Sequence, residues 1–451
     1  MKDITSLLLP DLHELLHSGT SEELSQALSH LHPADMADLV AEADDADKVR
    51  VFEVLGARDR VDTFEHLEED DQLHLVGLLG RRRMVAILDA MSSDDRADFI
   101  KAVPQKTEDL LIPLLAQSER NDVRRLVSYP EETAGALMTT EYASLQAEVT
   151  VGEALASLRQ VAPERETIYY VYVVRNSDRK LLGVVTLSEL VRAAPSKRLE
   201  EIMNRDLITI PVEEDQEEVA RAFEHYDFLA MPVVDDEGRL LGIITYDDIL
   251  DVVEEESTED AHRMGAVEPL SDPYLKVGFW SLARKRGLWL SVLFLGGMFT
   301  TSAMRHFEAV LNPALGLIFF IPLILSSGGN SGSQSASLIT RALALGEVRF
   351  SDLMRVFRRE IGMGLVLGGF LGVVGFLRAY FWDVPVGVPL VVALAVVSVV
   401  TIGTLLGSLL PLLFQRIGLD PAVTSTPFVA SLVDVMGIFL YFEIARRLLQ
   451  G

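Results

Sequence analysis

Five apolar stretches fill the C-terminal part of the chain, at about 287–306, 314–340, 361–382, 386–414 and 421–445. Each is long enough to cross a hydrocarbon core of about 30 Å as a helix. The last runs from Pro421 to Ala445, 25 residues, and carries Asp434 in its middle with no other charge within eight residues. A carboxylate at that depth is costly and marks ion or proton traffic by default; the alternative is a structural tie to hydroxyls of neighbouring helices. Asp434 shares a helical face with Ala430, Pro427 and Gly437, small or kinked residues that leave room for water.

A different period governs the first hundred or so residues. Units starting at 30, 42, 54, 66, 78, 90 and 102 have a small or apolar second position and an apolar eleventh. Twelve residues suit a helix of about two turns plus a tight connection, stacked as a solenoid with Leu39, Phe52, Phe64, Leu75, Leu88, Phe99 and Leu111 near its core. Such a stack is a scaffold without a catalytic constellation, although its turns carry acids.

Residues 137–253 hold a second, longer repeat. LMTTEYASLQAEVTVGEAL matches IMNRDLITIPVEEDQEEVA at an offset of 65, and LLGVVTLSEL matches LLGIITYDDI at an offset of 59. Each copy reads strand, helix, apolar strand (VYVV or MPVV), turn, strand (GVVTL or GIITY) and final helix. This resembles a tandem pair of cystathionine-beta-synthase (CBS) domains. The resemblance implies a sensor for adenosyl ligands or ions, and regulation rather than chemistry.

Charge divides at the membrane boundary. Residues 1–272 carry 59 acidic and 26 basic side chains, net −33, while residues 273–451 carry 8 and 14, net +6. An acidic soluble half repels nucleic acid and anionic lipid, so its natural partners are cations or a basic protein face. Arg284, Lys285 and Arg286 before the first stretch, and Arg341, Arg349, Arg355, Arg358 and Arg359 between the second and third, predict a cytoplasmic soluble half and an external C-terminus in a multi-pass cell (inner) membrane protein. Arg446 and Arg447 run against that rule. Cysteine is absent, which excludes disulfides and thiolate metal sites. The opening MKDITSLLLPDLHELL is a weak signal-peptide candidate, with a short apolar run followed at once by acids.

From Asp247 to about Met264 the pattern is helical, and Asp251, Glu255 and Glu259 stack on one face. Like charges at that spacing destabilise a helix unless neutralised. A hard cation with one or two carboxylates and water would do this, as would Arg81, Arg82 and Arg83 from the first domain.

Three motifs in order, DQEEVA at Asp215–Ala220, GGNSGSQSA at Gly328–Ala336, and GLDPA with SLVDVMG between Gly418 and Gly437, resemble the MgtE family of magnesium channels. The resemblance implies a multidomain membrane protein: an all-α short-helix solenoid at 1–128, an α/β tandem CBS pair at 137–253, a connecting or plug helix at 254–276, and a five-span pore domain at 277–451. It further implies a homodimer whose pore lies on the two-fold axis. Asp434 would hold hydrated Mg2+ beside the carbonyl of Ala430, with Asp420 recruiting ions at the inner mouth and Asn330 and Gly437 among the pore residues. Thr426 departs from the Asn expected before Pro427. Carried over residue by residue, regulatory Mg2+ would bridge Asp62, Asp94 and Asp98 to Glu217, Asp227, Asp248, Asp251, Glu256, Glu259 and Asp260, closing the pore when cytosolic Mg2+ is high. ATP is a candidate ligand of the CBS pair. No Walker loop, catalytic Cys or HExxH is present, which argues against an enzyme, and the competing function is a proton-coupled carrier of Mg2+, Mn2+ or Co2+.

Overall fold

The computed structural model describes residues 15–16, 19–161, 167–270, 274–308, 315–382 and 384–449, so most of the candidate signal segment and the start of the second apolar stretch lie outside the described residues. The chain divides into two compact units, Met1–Val253 and Glu254–Gly451.

In the first unit the twelve-residue period becomes a succession of short helices: α1 (Ser21–Leu28), α2 (Pro33–Glu42), α3 (Asp45–Val54), α4 (Ala57–Glu65), α5 (Glu69–Leu79), α6 (Arg81–Leu88), α7 (Ser93–Ala102), α8 (Gln105–Leu111) and α9 (Gln117–Leu126). Side-chain caps start several of them. The Thr20 hydroxyl and Glu23 carboxylate form a capping box at α1, and Asp44 accepts from the Asp47 amide at 2.9 Å. All seven positions expected at the core are buried. Arg96, only 1% exposed on α7, donates to the carbonyls of Leu88 and Met91 and pairs with Glu119 and Glu141. Since Glu141 immediately precedes β1, this buried cation ties the helical repeat to the CBS pair.

After a short α10 (Ala134–Leu137), each CBS copy supplies a three-stranded sheet. β1 (Tyr142–Gln146) runs parallel to β2 (Thr167–Val174), which is antiparallel to β3 (Leu181–Thr186). The second copy repeats this with β4 (Ile210–Pro211), β5 (Ala230–Val234) and β6 (Leu240–Thr245). Helices α11 (Val151–Val161) and α13 (Gln216–Tyr226) occupy the equivalent connections between the two parallel strands of each copy, and α12 (Leu187–Arg192) follows β3. Bonds from the Leu181 amide to Gly238 (3.0 Å) and the Leu240 amide to Arg179 (3.2 Å) join the copies reciprocally. The second copy ends in α14 (Tyr246–Met264), whose helix stops at Gly265 with Ala266 in the left-handed region (φ +57°). Among the described residues of the connecting segment expected at 254–276, the helix therefore ends at Met264.

The second unit contains α15 (Phe279–His306), α16 (Ile321–Ala344), α17 (Leu353–Tyr380), α18 (Val388–Arg416) and α19 (Thr426–Leu449). Among the described residues four segments, those of α15, α17, α18 and α19, are long and apolar enough to cross a membrane. α16 has the length, 24 residues, but its middle is a run of Gly and Ser. The second apolar stretch is also interrupted: Leu315–Phe320 is a 3-10 helix, and α16 begins with Pro322 in its first turn, where a missing N–H costs nothing.

Small residues set the helix spacing. A Cβ on Gly403 or Gly407 of α18 would strike the carbonyls of Gly328 or Gly332 of α16, so these helices run parallel in backbone contact. On α17, Gly364, Gly368 and Gly372 meet Thr401, Val397 and Ala393 of the antiparallel α18. Gly407→Ala is expected to cost about 1–3 kcal/mol by overpacking, while Gly369→Ala, at a position with no neighbour within 4 Å, costs nothing measurable. Thermal midpoints of the two full-length variants in detergent check this, and equal midpoints would remove the seam from the account.

Candidate functional site

α19 presents two faces to its neighbours. Val429 and Val433 are fully buried, against Gly332 and Gly328 of α16. One residue further round, Ala430 and Asp434 face Gly329: a Cβ there would lie 3.5 Å from the Ala430 Cβ and 4.0 Å from Asp434 Oδ1. The carboxylate thus stands against a residue with no side chain. It is half-buried, and among the described residues it makes no hydrogen bond or ion pair. The structural tie to neighbouring hydroxyls, an open alternative in the sequence, is not made by any described residue.

Gly437 departs from the face expected of it. It is buried, and an added Cβ would come within 3.1 Å of Leu325 and Val399, so it packs the seam instead of leaving room for water. Asn330 is exposed on α16 and donates to the Ser326 hydroxyl at 3.4 Å. Asp420 accepts from the Ala422 amide at 2.7 Å, capping the turn Pro421–Val423, and pairs with Arg263 at the end of α14.

A polar node that sequence reasoning missed lies beside these helices. Ser335 on α16 donates to the Glu360 carboxylate at 3.0 Å, and Thr404 on α18 donates to the Glu360 carbonyl at 3.3 Å. Glu360 sits one residue before the apolar stretch assigned to 361–382, where it reads as a boundary residue.

The acids carried over as regulatory ligands are dispersed. Asp62 lies 3.7 Å from Arg58, Asp98 pairs with Lys101 at 2.8 Å, and Asp94 is buried on α7. Glu217 pairs with Arg221 at 2.5 Å near the start of α13, whereas Asp227 caps its other end, about 15 Å away at 1.5 Å per residue. Within one chain these two stand a whole helix apart. Asp251, Glu256, Glu259 and Asp260 follow one another along α14, with Glu259 paired to Arg263. Arg83, one of the alternative neutralisers, is committed to Glu53 at 2.6 Å. Among the described residues no three Asp, Glu or His side chains converge as a metal-binding group.

Asp248 is where charge is most crowded. It accepts from the Thr245 hydroxyl (2.6 Å) and amide (3.2 Å) at the start of α14. Burial first, then Asp247 and Asp95, raises its carboxyl from 3.8 to about 7. Asp95 of α7 is thus a member of this cluster that sequence reasoning did not name.

Between the two CBS copies lies a cleft lined by Tyr170, Tyr172, Glu189, Asn204, Asp206 and Phe228. The Tyr170 and Phe228 rings stand 6.5 Å apart, and the buried Tyr172 hydroxyl has no hydrogen-bond partner among the described residues. Aromatic walls with a few polar groups suit a flat, heteroatom-bearing ligand.

Residues 31–132 match the MgtE intracellular N domain, 134–196 and 199–255 the CBS domain, and 321–444 the MgtE divalent cation transporter domain. Over 347 residues the chain is 45% identical to the magnesium transporter MgtE of Thermus thermophilus, covering 77% of this chain and 76% of that one. The chain belongs to the MgtE family. The MgtE magnesium transporter of Enterococcus faecalis is 37% identical over 74% of this chain and 72% of its own. The crystal structure of the cytosolic domain of the Mg2+ channel MgtE in complex with ATP is 39% identical, with a TM-score of 0.52 over 54% of this chain and 100% of that one. Family membership and the named relatives make this a transporter-family protein and not an enzyme.

The raised carboxyl of Asp248 has a stability consequence of definite sign. Between about pH 4 and 7 the folded state holds a proton that the unfolded state has lost, so stability falls as pH rises through that window and then levels. Asp248→Asn is expected to be more stable than the parent at pH 8, on the order of 1–3 kcal/mol, and equal to it below pH 4. Equal thermal midpoints at pH 8 would contradict the crowding described for this cluster.

Proposed function

We propose that the chain is a Mg2+-selective channel of the cell membrane, acting as a homodimer with its soluble half in the cytoplasm and its C-terminus outside. The observation that carries this is Asp434: a carboxylate within an apolar helix bundle, beside the bare backbone of Gly329 and with no hydrogen-bonding or ionic partner among the described residues. Its charge has to be answered from outside the chain, and a cation in transit answers it. Two copies on a two-fold axis present two carboxylates, matching a divalent charge. Mg2+ gives up its water reluctantly, so a roomy site that contacts its hydration shell, with the Ala430 carbonyl nearby, suits it better than a tight cage.

Gating follows from the charge of the soluble half. Net −33 over residues 1–272 repels its copy in a dimer, and divalent ions at the acidic surfaces of α7 and α14 offset that repulsion and favour a compact, closed state. Closure requires tighter binding to the closed state than to the open one. Sites of one or two carboxylates plus water are what dispersed acids such as Asp98, Asp248 and Glu259 can provide. In the CBS cleft, the Tyr170 and Phe228 rings with the unpartnered Tyr172 hydroxyl support a purine nucleotide such as ATP.

Mg2+ uptake into proteoliposomes reads the pore assignment. Asp434→Ala is expected to bring uptake down to the level of protein-free vesicles while the variant still elutes from size exclusion like the parent. Uptake at the parental rate would defeat the assignment of the pore to this residue.

A further inference from the structure

The end of α14 is fastened to the segment that begins α19. Arg263, in the last turn of α14, pairs with Glu259 one turn back and with Asp420. The next residue, Met264, accepts a hydrogen bond at its carbonyl from the Thr426 hydroxyl at 3.1 Å. Beyond it the chain turns on itself, with the Gly265 and Val267 amides both donating to the His262 carbonyl (3.1 and 3.0 Å), and Lys285 of α15 donates to the Pro269 carbonyl. Thr426 opens α19, and Asp434 stands about 12 Å further along that helix at 1.5 Å per residue.

We propose that Arg263 is a tethered counter-cation at the inner mouth of the ion pathway, occupying the carboxylate of Asp420 in the non-conducting arrangement. The proposal rests on the pore reading of α19, because only then is Asp420 at a mouth. A guanidinium stays charged at any physiological pH, and its planar fork can serve two carboxylates at once, as it does here with Glu259 and Asp420. While bound, it removes the negative charge that would draw a divalent ion and stands where that ion would exchange water with the carboxylate. The pair is partly exposed, so it is weak enough to open when α14 moves away. Sharing gives the device a direction. A divalent cation that takes Glu259 leaves the guanidinium undivided on Asp420, so cation binding on α14 tightens the hold on the mouth.

The absence of cysteine from the chain makes a direct test available. Arg263→Cys with Asp420→Cys, in the full-length protein reconstituted in vesicles, is expected to form a disulfide under mild oxidation. Mg2+ flux then falls to the vesicle leak and returns on reduction. Arg263→Gln and Asp420→Asn are each expected to raise residual flux about threefold at the cytosolic Mg2+ that suppresses the parent, each variant normalised to its own flux at low Mg2+. Combining them adds nothing further, because both remove one pair. Oxidised protein that conducts like reduced protein, failure of the disulfide to form, or single effects that multiply in the double variant would overturn the proposal. A reduced double-cysteine protein and a parent that both carry no Mg2+ would instead bring down the pore reading itself, and a conducting parent indifferent to cytosolic Mg2+ would bring down the feedback reading while the disulfide still judges the latch.

Discussion

A carboxylate in a low-dielectric helix bundle has to be paid for by something that carries positive charge or donates protons. At Asp434 nothing in the described protein does so. Much of the membrane unit can be understood as what makes this tolerable. Val429 and Val433 lock one side of α19 into the glycine grooves of α16, while the next face round is kept bare by Gly329. The glycines of α18 against Gly328 and Gly332 fix α16 so closely that this bare face has a defined place. Rigid packing and an open polar spot are thereby built from the same short motif, by residues one position apart.

The soluble unit distributes its electrostatics in the opposite way. Its acids are many, and several are answered locally, Glu217 by Arg221, Asp98 by Lys101 and Glu259 by Arg263. Where local answers give out, as around Asp248, burial and the neighbouring Asp247 and Asp95 raise the Asp248 carboxyl to about 7. The two units of the chain thus pose the same physical question, an under-compensated carboxylate, at sites with different surroundings. One lies in a membrane bundle beside bare backbone, and the other lies in a crowded surface where helix α7 meets the start of α14.

Periodicity made the architecture legible from sequence. Burial of Leu39, Phe52, Phe64, Leu75, Leu88, Phe99 and Leu111 follows from the twelve-residue repeat, and the strand-helix order of both CBS copies follows from their mutual match. What periodicity cannot resolve is which neighbour a face meets. Gly437 and Ala430 lie on one stripe with Asp434, yet Gly437 packs against Leu325 and Val399. The break before Ile321 was hidden by unbroken hydrophobicity, although Pro322 marked it. Asp95 and Glu360 were invisible as functional candidates because their partners, Asp248 and Ser335, are distant in sequence. Glu217 and Asp227 illustrate the converse: near in sequence, they are separated by a whole helix.

The central claim is that Asp434 lines an open path for hydrated Mg2+ and not an alternating carrier site. Unitary current in a planar bilayer, with Mg2+ as the only permeant cation, decides between them. The account predicts discrete openings carrying about 10^6 ions per second or more, far above the ~10^3 per second of most enzyme-like turnovers, and their disappearance in Asp434→Ala. Mg2+ transport without resolvable unitary openings, driven instead by a proton gradient, would contradict it.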